Sequence, residues 1–356
     1  MQTIRLKLGP RSYNIAIGSD AENGFAKFVV GRTDSRKFLV VADHHVRPIA
    51  VRLAGLLPEA KVVHVPAGES SKSLERLNEL FGHLATLPAD RKTPIIAVGG
   101  GVVGDLAGFA AATYNRGIPL FMVPTSLLAM VDSSVGGKVG INLPQGKNLV
   151  GAFHQPAGVW IDTALLATLP DREYRSGLAE VVKYGVILDE EFFAWIENHA
   201  DAILKRESSM LEHLIARSCE LKARVVEQDE REETGVRAVL NYGHTFAHAF
   251  ESVSGYGTWL HGEAVAAGMI HASRLAEKRA LISPELTLRQ ARLLERFGLP
   301  ISSLSSWNVE AMLDVMRRDK KNVSGRMRFV LPTKLGRVDL FDDIPEAQVR
   351  EALAIG

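Results

Sequence analysis

The 356-residue chain is 46% hydrophobic and 23% charged, the composition of a globular protein, and its length fits roughly two domains. Forty-two Lys plus Arg against forty-one Asp plus Glu leave a net charge of +1. That balance lacks the basic stripe of a nucleic-acid binder and the like-charge run of an interaction tail. One cysteine, Cys219, excludes an internal disulfide framework and a cysteine-built metal site. The N-terminus has no apolar signal core, and no stretch approaches the ~18 uninterrupted apolar residues of a membrane span. A cytoplasmic protein with no membrane and no nucleic-acid partner is expected.

Residues 1–162 read as strands alternating with helices. Ile4, Leu6 and Leu8, then Tyr13, Ile15 and Ile17, alternate with polar residues across Gly9-Pro10 and predict an antiparallel hairpin. Short apolar runs follow at Phe38–Val41, Val62-Val63, Ile95–Val98 and Leu120–Val123, the pattern of buried parallel strands. Leu74, Leu77, Leu80, Phe81 and Leu84 make one apolar helix face. From residue 163 to 356 helical periods dominate, as at Met210, Leu211, Leu214 and Ile215, and at Leu286, Leu293, Leu294 and Phe297 after Ser283-Pro284. One late strand is expected at Met327–Leu331, with a turn from Pro332 to Gly336. The expectation is an α/β domain over 1–162 and a mainly helical domain over 163–356, packed around a shared cleft.

Five groups of residues carry chemistry. Gly99-Gly100-Gly101-Val102-Val103-Gly104-Asp105 follows a strand and opens an apolar helix. There glycines let backbone amides approach a pyrophosphate at a helix N-terminus. The acid expected about 20 residues later is absent, though Asp43 ends an earlier strand, so a dinucleotide site would need an altered topology. Pro66 to Lys72 is a strand–helix loop whose Ser and Glu residues suit a helix cap. Asp132 to Lys138, and Gly146-Lys147-Asn148, set small residues around two lysines and an asparagine, apt for phosphate.

Possible metal ligands form the fourth group. Glu180 and Lys183 share a helix face, His244 and His248 share another, and His261-Gly262-Glu263 follows. Two imidazoles and one carboxylate leave an open position, as in catalytic rather than structural zinc. Thr245 stands where H-E-x-x-H needs Glu, which excludes that protease motif. The fifth group is Lys222, Arg237, Asn241, Lys320 and Lys321. Arg237 and Asn241 are expected on one helical face with His244 and His248, suited to an oxyanion-rich substrate.

Together these segments resemble the 3-dehydroquinate synthase family, within the sugar phosphate cyclase superfamily, from Asp43 to Leu331. The most specific pieces are Gly99 to Asp105, Asp132 to Lys138, Gly146 to Asn148, Ser176 to Lys183, Arg237 to His248, His261 to Glu263, and Asp319 to Lys321. The resemblance implies a homodimer with an NAD-binding parallel-sheet domain and a helical metal- and substrate-binding domain. Its cofactors would be NAD and Zn2+, with Co2+ as an alternative. Glu180, His244 and His261 would bind the metal. Asp43, Glu69, Lys72, Gly101, Val102, Val103, Gly104, Asp105, Thr125, Ser126, Lys138, Lys147, Leu165 and Thr168 would line the NAD site. Ser126 stands where the family pattern leads one to expect Thr.

By the same resemblance, Lys138, Asn148, Asn241, His248 and Lys320 would hold a sugar phosphate, with Arg116 supplied by the partner subunit. Lys222 and Arg237 would take the substrate carboxylate, and Asp132 and Lys183 the reacting hydroxyls. Catalytic roles would fall on Asp132, Lys138, Lys183, His248 and His261. The implied reaction converts 3-deoxy-D-arabino-heptulosonate 7-phosphate to 3-dehydroquinate and phosphate. It would run through transient oxidation by NAD, phosphate elimination, re-reduction and intramolecular aldol closure. Another sugar phosphate cyclase, a metal-dependent polyol dehydrogenase and a non-catalytic sensor are the rivals.

Overall fold

In the computed structural model, residues 1–255, 257–303, 307–318 and 327–354 are described. Lys320 and Lys321, with Asp319, lie outside them. Two units are distinguished by their internal contacts: Met1–Leu169 with Leu211–Arg231, and Pro170–Met210 with Glu232–Gly356. The single boundary expected at 162/163 is thus replaced by a chain that leaves the first unit, returns to it for one helix, and leaves again.

In the first unit the alternating N-terminal segments form β1 (Gln2–Leu6) and β2 (Tyr13–Gly18), antiparallel with Ile4 opposite Ile15. There follow α1 (Glu22–Val30), β3 (Lys37–Asp43), α2 (Arg47–Ala54), β4 (Glu59–Val65), α3 (Leu74–Thr86), β5 (Ile95–Gly99), α4 (Gly101–Thr113) and β6 (Leu120–Pro124). A hairpin of β7 (Lys138–Leu143) and β8 (Gly146–Phe153) precedes β9 (Gly158–Asp162). The main sheet runs β1-β2-β9-β6-β5-β3-β4, and every pairing beyond β1–β2 is parallel. The central strands β3, β5, β6 and β9 are mostly apolar because both faces are covered, whereas the outer β1 and β4 carry polar, partly exposed residues. Phe38, Val40, Ile96, Val98, Phe121 and Val123 are buried with Phe25, Phe28 and Trp160, each contributing about 1.5–3 kcal/mol by leaving water. In α3 the apolar face is narrower than expected, since Leu74 is exposed at the first helical position.

The second unit holds α5 (Asp171–Leu188), α6 (Glu190–Leu204) and the start of α7 (Ser208–Gln228), whose residues from Leu211 belong to the first unit. It continues with α8 (His244–Val253), α9 (His261–Lys278), α10 (Pro284–Arg296), α11 (Val309–Arg317), β10 (Phe329–Lys334), β11 (Arg337–Phe341) and α12 (Glu346–Ala354). From Ser176 to Ile187, α5 is buried all round, as expected of a central helix. The late strand does not stop at Leu331. It passes through Pro332 to Lys334 with a register shift, because proline is tolerated at a bulge.

His271 of α9 ties the C-terminal helix to the core. Its ring is fully buried, Nδ1 donates to the Ala352 carbonyl (2.8 Å), and Nε2 accepts from Ser303 N–H (3.2 Å). Burial pushes its pKa down to about 4. The unfolded chain therefore takes up a proton before the folded one does. Unfolding free energy in urea is expected to fall by on the order of 3 kcal/mol between about pH 6.5 and 4 from this group alone. His271→Gln should flatten that slope; an unchanged slope would assign the acid sensitivity elsewhere.

Candidate active site

The order of the parallel strands places a ligand crevice in the first unit. β4 flanks β3 on one side and β5 on the other, so the chain reverses direction across the sheet between β3 and β5. Ligands favour the carboxyl ends of strands at such a reversal. Asp43 ends β3 there, its Oδ1 accepting from the backbone N–H groups of His45 (2.8 Å) and Val46 (3.3 Å). Gly99 ends β5, Gly100 caps α4, and Gly101 to Asp105 form its first turns. A Cβ at Gly101 would come 3.1 Å from Ser133 Oγ, and one at Gly100 3.4 Å from Ser126 Oγ. Without side chains at these two positions the amides stay open between the serines, an arrangement that suits a pyrophosphate. Thr125 N–H donates to Gly99 O (3.0 Å), which anchors the Thr125-Ser126 turn beside it. Leu165 and Thr168 lie on the short turn after β9, where Thr168 Oγ1 donates to Leu165 O.

A charged cluster lies near α4. Lys72, 5% exposed, donates to Asp105 Oδ2 (2.7 Å) and Asn148 Oδ1, with Glu69 Oε1 at 3.5 Å. Burial alone would lower the Lys72 pKa, but the carboxylates of Asp105 and Glu69 outweigh it and raise it, so the ammonium stays charged. Glu69 also accepts from Asn142 Nδ2 (2.7 Å), tying the loop before α3 to β7. Lys138, Lys147 and Asn148 sit on the β7–β8 hairpin rather than in a loop, with Asn148 at φ 54°. The hairpin packs on α4 because Gly108 leaves room for Val139; a Cβ there would meet Val139 Cγ1 at 2.3 Å. Arg116 is exposed on a turn in which Asn115, Arg116 and Gly117 all have positive φ.

Asp132 occupies a π-helical turn, Ala129–Ser133, closed by Ser134 N–H on Ala129 O (3.2 Å), a local widening common at functional sites. Lys222 of α7 donates to both Asp132 O (2.6 Å) and Asp132 Oδ1 (2.5 Å). One turn earlier, Cys219 Sγ donates to Met130 O (3.3 Å), and burial pushes its thiol up to about 12, an unreactive state.

In the second unit, Glu180, His244 and His261 bring one ligand atom each within 4.8 Å of one another. Glu180 on α5 is fully buried; the Lys183 ammonium is in ion-pair contact with Oε2, and Oε1 has no hydrogen-bond partner among the described residues. His244 Nε2 and His261 Nε2 face Glu180 Oε1 at 3.8 and 3.7 Å. His244 Nδ1 is 3.2 Å from the Tyr242 carbonyl, which makes Nδ1 the donor and turns the Nε2 lone pair inward. A buried carboxylate with one oxygen left open, and two imidazole nitrogens aimed at that oxygen, is a donor set suited to a divalent metal with an open position.

Glycines make this convergence feasible. A Cβ on Gly262 would fall 1.8 Å from Ser176 O, so the start of α9 rests directly on α5. A Cβ on Gly268 would lie 2.3 Å from Gly243 O, setting the α8–α9 crossing. Gly243 is left-handed (φ 78°) and ends a short 3-10 turn, Val236–Asn241. The single helical face expected to carry Arg237, Asn241, His244 and His248 is therefore broken in two. Arg237 is 1% exposed, with Nε 3.8 Å from Glu232 Oε1, while His244 and His248 share α8 with ring centroids 5.9 Å apart.

Two residues here were not anticipated. Arg172 on α5 donates to both Glu263 oxygens (2.7 and 2.8 Å) and to Thr258 O (2.8 Å). Glu263 in turn accepts from Leu260 N–H (2.7 Å), so this carboxylate caps α9. Glu251 lies 3.7 Å from His261 Nδ1, and its spacing of seven from His244 on one helix face was the available signal.

The fold that carries this glycine cradle and His/His/Glu cluster is that of solved sugar phosphate cyclases. A solved 2-deoxy-scyllo-inosose synthase, complexed with carbaglucose-6-phosphate, NAD+ and Co2+, matches with a TM-score of 0.89 and 27% identity over 100% of both chains. A 2-epi-5-epi-valiolone synthase from Streptomyces hygroscopicus subsp. jinggangensis 5008, with NAD+ and Zn2+ bound, matches at 0.88 and 27%, covering 99% of this chain and 98% of that one. Residues 62–176 match the family description 3-dehydroquinate synthase N-terminal, and residues 177–322 match 3-dehydroquinate synthase C-terminal. A 3-dehydroquinate synthase of Desulforamulus reducens is 49% identical over 99% of this chain and 100% of its own length. The chain belongs to the 3-dehydroquinate synthase family.

His261→Ala should weaken Zn2+ binding by on the order of 100-fold or more, read by chelator competition and metal analysis. A full zinc complement in that variant would remove His261 from the ligand set.

Proposed function

We propose that this chain converts 3-deoxy-D-arabino-heptulosonate 7-phosphate to 3-dehydroquinate and phosphate, as a cytoplasmic homodimer. The observation that carries the reading is the convergence of Glu180, His244 and His261 in a chain of this family. When bound, the two cofactors supply a reversible hydride acceptor and a Lewis acid that lowers the pKa of substrate hydroxyls. The strand-end crevice with Asp43 and Gly101 to Asp105 orients the dinucleotide, the charged cluster of Glu69 and Lys72 extends its site, and Lys147 of the β7–β8 hairpin serves it too. No helix among the described residues is long and apolar enough to cross a membrane, and the lone cysteine calls for no oxidising compartment.

The remaining groups bind and position the sugar. Lys183, buried against Glu180, meets the hydroxyls that react, together with Asp132. Lys222 and Arg237 take the carboxylate, and the burial of both makes each charge–charge contact strong. Lys138, Asn148, Asn241, His248 and Lys320 hold the phosphate before it leaves. Arg116 serves the phosphate site of the partner subunit; its exposure on a turn of three left-handed residues supports that assignment. Catalytic roles also fall to Lys138 and His248 in this reading. Multiple charge-assisted bonds to one anion hold the reacting carbons in register.

The direct test is phosphate release from the heptulosonate phosphate, with and without a chelator. Turnover is expected only with metal and with no net NADH. Net NADH would instead identify a polyol dehydrogenase, and binding without turnover a sensor. Arg237→Ala should cost about 2–5 kcal/mol in kcat/KM; activity near the parent's would remove the carboxylate assignment.

A further inference from the structure

We propose that Glu251 is a positioning residue for the metal centre, acting through His261. The inference rests on the metal-site reading above and goes beyond its three ligands. His261 stands between two carboxylates: its Nε2 faces Glu180 Oε1 at 3.7 Å, and its Nδ1 faces Glu251 Oε1 at 3.7 Å. Glu251 is 7% exposed and Glu180 fully buried. The two histidines are therefore held differently, since the Nδ1 of His244 faces the neutral carbonyl of Tyr242.

The difference has a chemical consequence. An imidazole whose outer nitrogen lies within ion-pair distance of a carboxylate favours the tautomer with its N–H on that side and becomes a better electron donor through its other nitrogen. A backbone carbonyl fixes the tautomer but brings no charge. His261 is then the stronger imidazole donor, and Glu251 adds a negative charge that favours a divalent ion from outside the ligand set. The helix delivers both partners at once, because His244 and Glu251 are seven residues apart on α8 and project from one face. His261 comes from the first residue of α9, where the Arg172–Glu263 clamp and the Ser176 contact of Gly262 hold the backbone. Glu251 thus completes the orientation of a ring whose main chain is already fixed.

The test compares Glu251→Gln and Glu251→Ala with the parent in full-length protein. Zn2+ affinity is read by competition with a chelator, and the Co2+ form by its visible absorption. Glu251→Gln keeps size and an acceptor but removes charge, so it stays informative if the Ala variant fails to fold. The expected result is ~10–100-fold weaker metal binding with a shifted Co2+ band, the Ala variant being more affected, while NAD+ affinity is unchanged. Unchanged metal affinity and an unshifted Co2+ spectrum in Glu251→Gln would overturn the proposal alone. A parent that binds no stoichiometric metal would overturn the metal-site reading with it.

Discussion

The second unit is organised around one carboxylate placed where carboxylates are expensive. Glu180 is fully buried within a stretch of α5, Ser176 to Ile187, that is buried all round. An ionised carboxylate there is costly unless a cation or hydrogen bonds compensate it. Lys183 provides one cation from the same helix, against Oε2, and the open Oε1, faced by two imidazoles, marks where a second belongs. Much of the surrounding structure makes sense as the means of bringing two imidazoles to that point. The left-handed Gly243 starts α8 at His244, and Gly262 lets α9 start against the backbone of α5.

The first unit solves a different problem with related means. A dinucleotide phosphate needs backbone amides, and amides are reachable only where side chains are absent. Gly100 and Gly101 provide that absence, while Gly108 lets the β7–β8 hairpin close on the same helix. Lys72, Asp105, Glu69, Asn142 and Asn148 are cross-linked into one network. Charges held in this way cost little reorganisation when a ligand arrives, which is the physical basis of electrostatic preorganisation. The Asp132–Lys222 pair is a second such device, built on a π turn and on a helix that returns to this unit.

Strand and helix periods were legible where burial was uniform. β3, β5 and β6 are continuous apolar runs because both sheet faces are covered, and α3, α7 and α10 show clear helical stripes. Reading failed where a single backbone angle intervened. Arg237 and Asn241 have helical spacing to His244 and His248, yet Gly243 ends one turn and begins another. Pro332 suggested a stop, yet a bulge carries the strand past it. Glu263 stands two residues from His261 in the chain, but its oxygens are taken by Arg172 and by the Leu260 N–H.

The chain order of residues alone determined the alternating α/β half, the glycine turn after β5, a set of Glu and His residues suited to a metal, and the family. These are local or compositional properties, carried by periods of two and 3.6 and by motifs within a few residues. Tertiary structure decided that α7 rejoins the first unit so that Lys222 reaches Asp132, that Arg172 clamps Glu263, and that Glu251 stands behind His261. Those pairings join residues 10 to 91 positions apart, and no local period encodes them. They follow from which helices cross, and the crossings follow from where glycine leaves room for a neighbouring backbone.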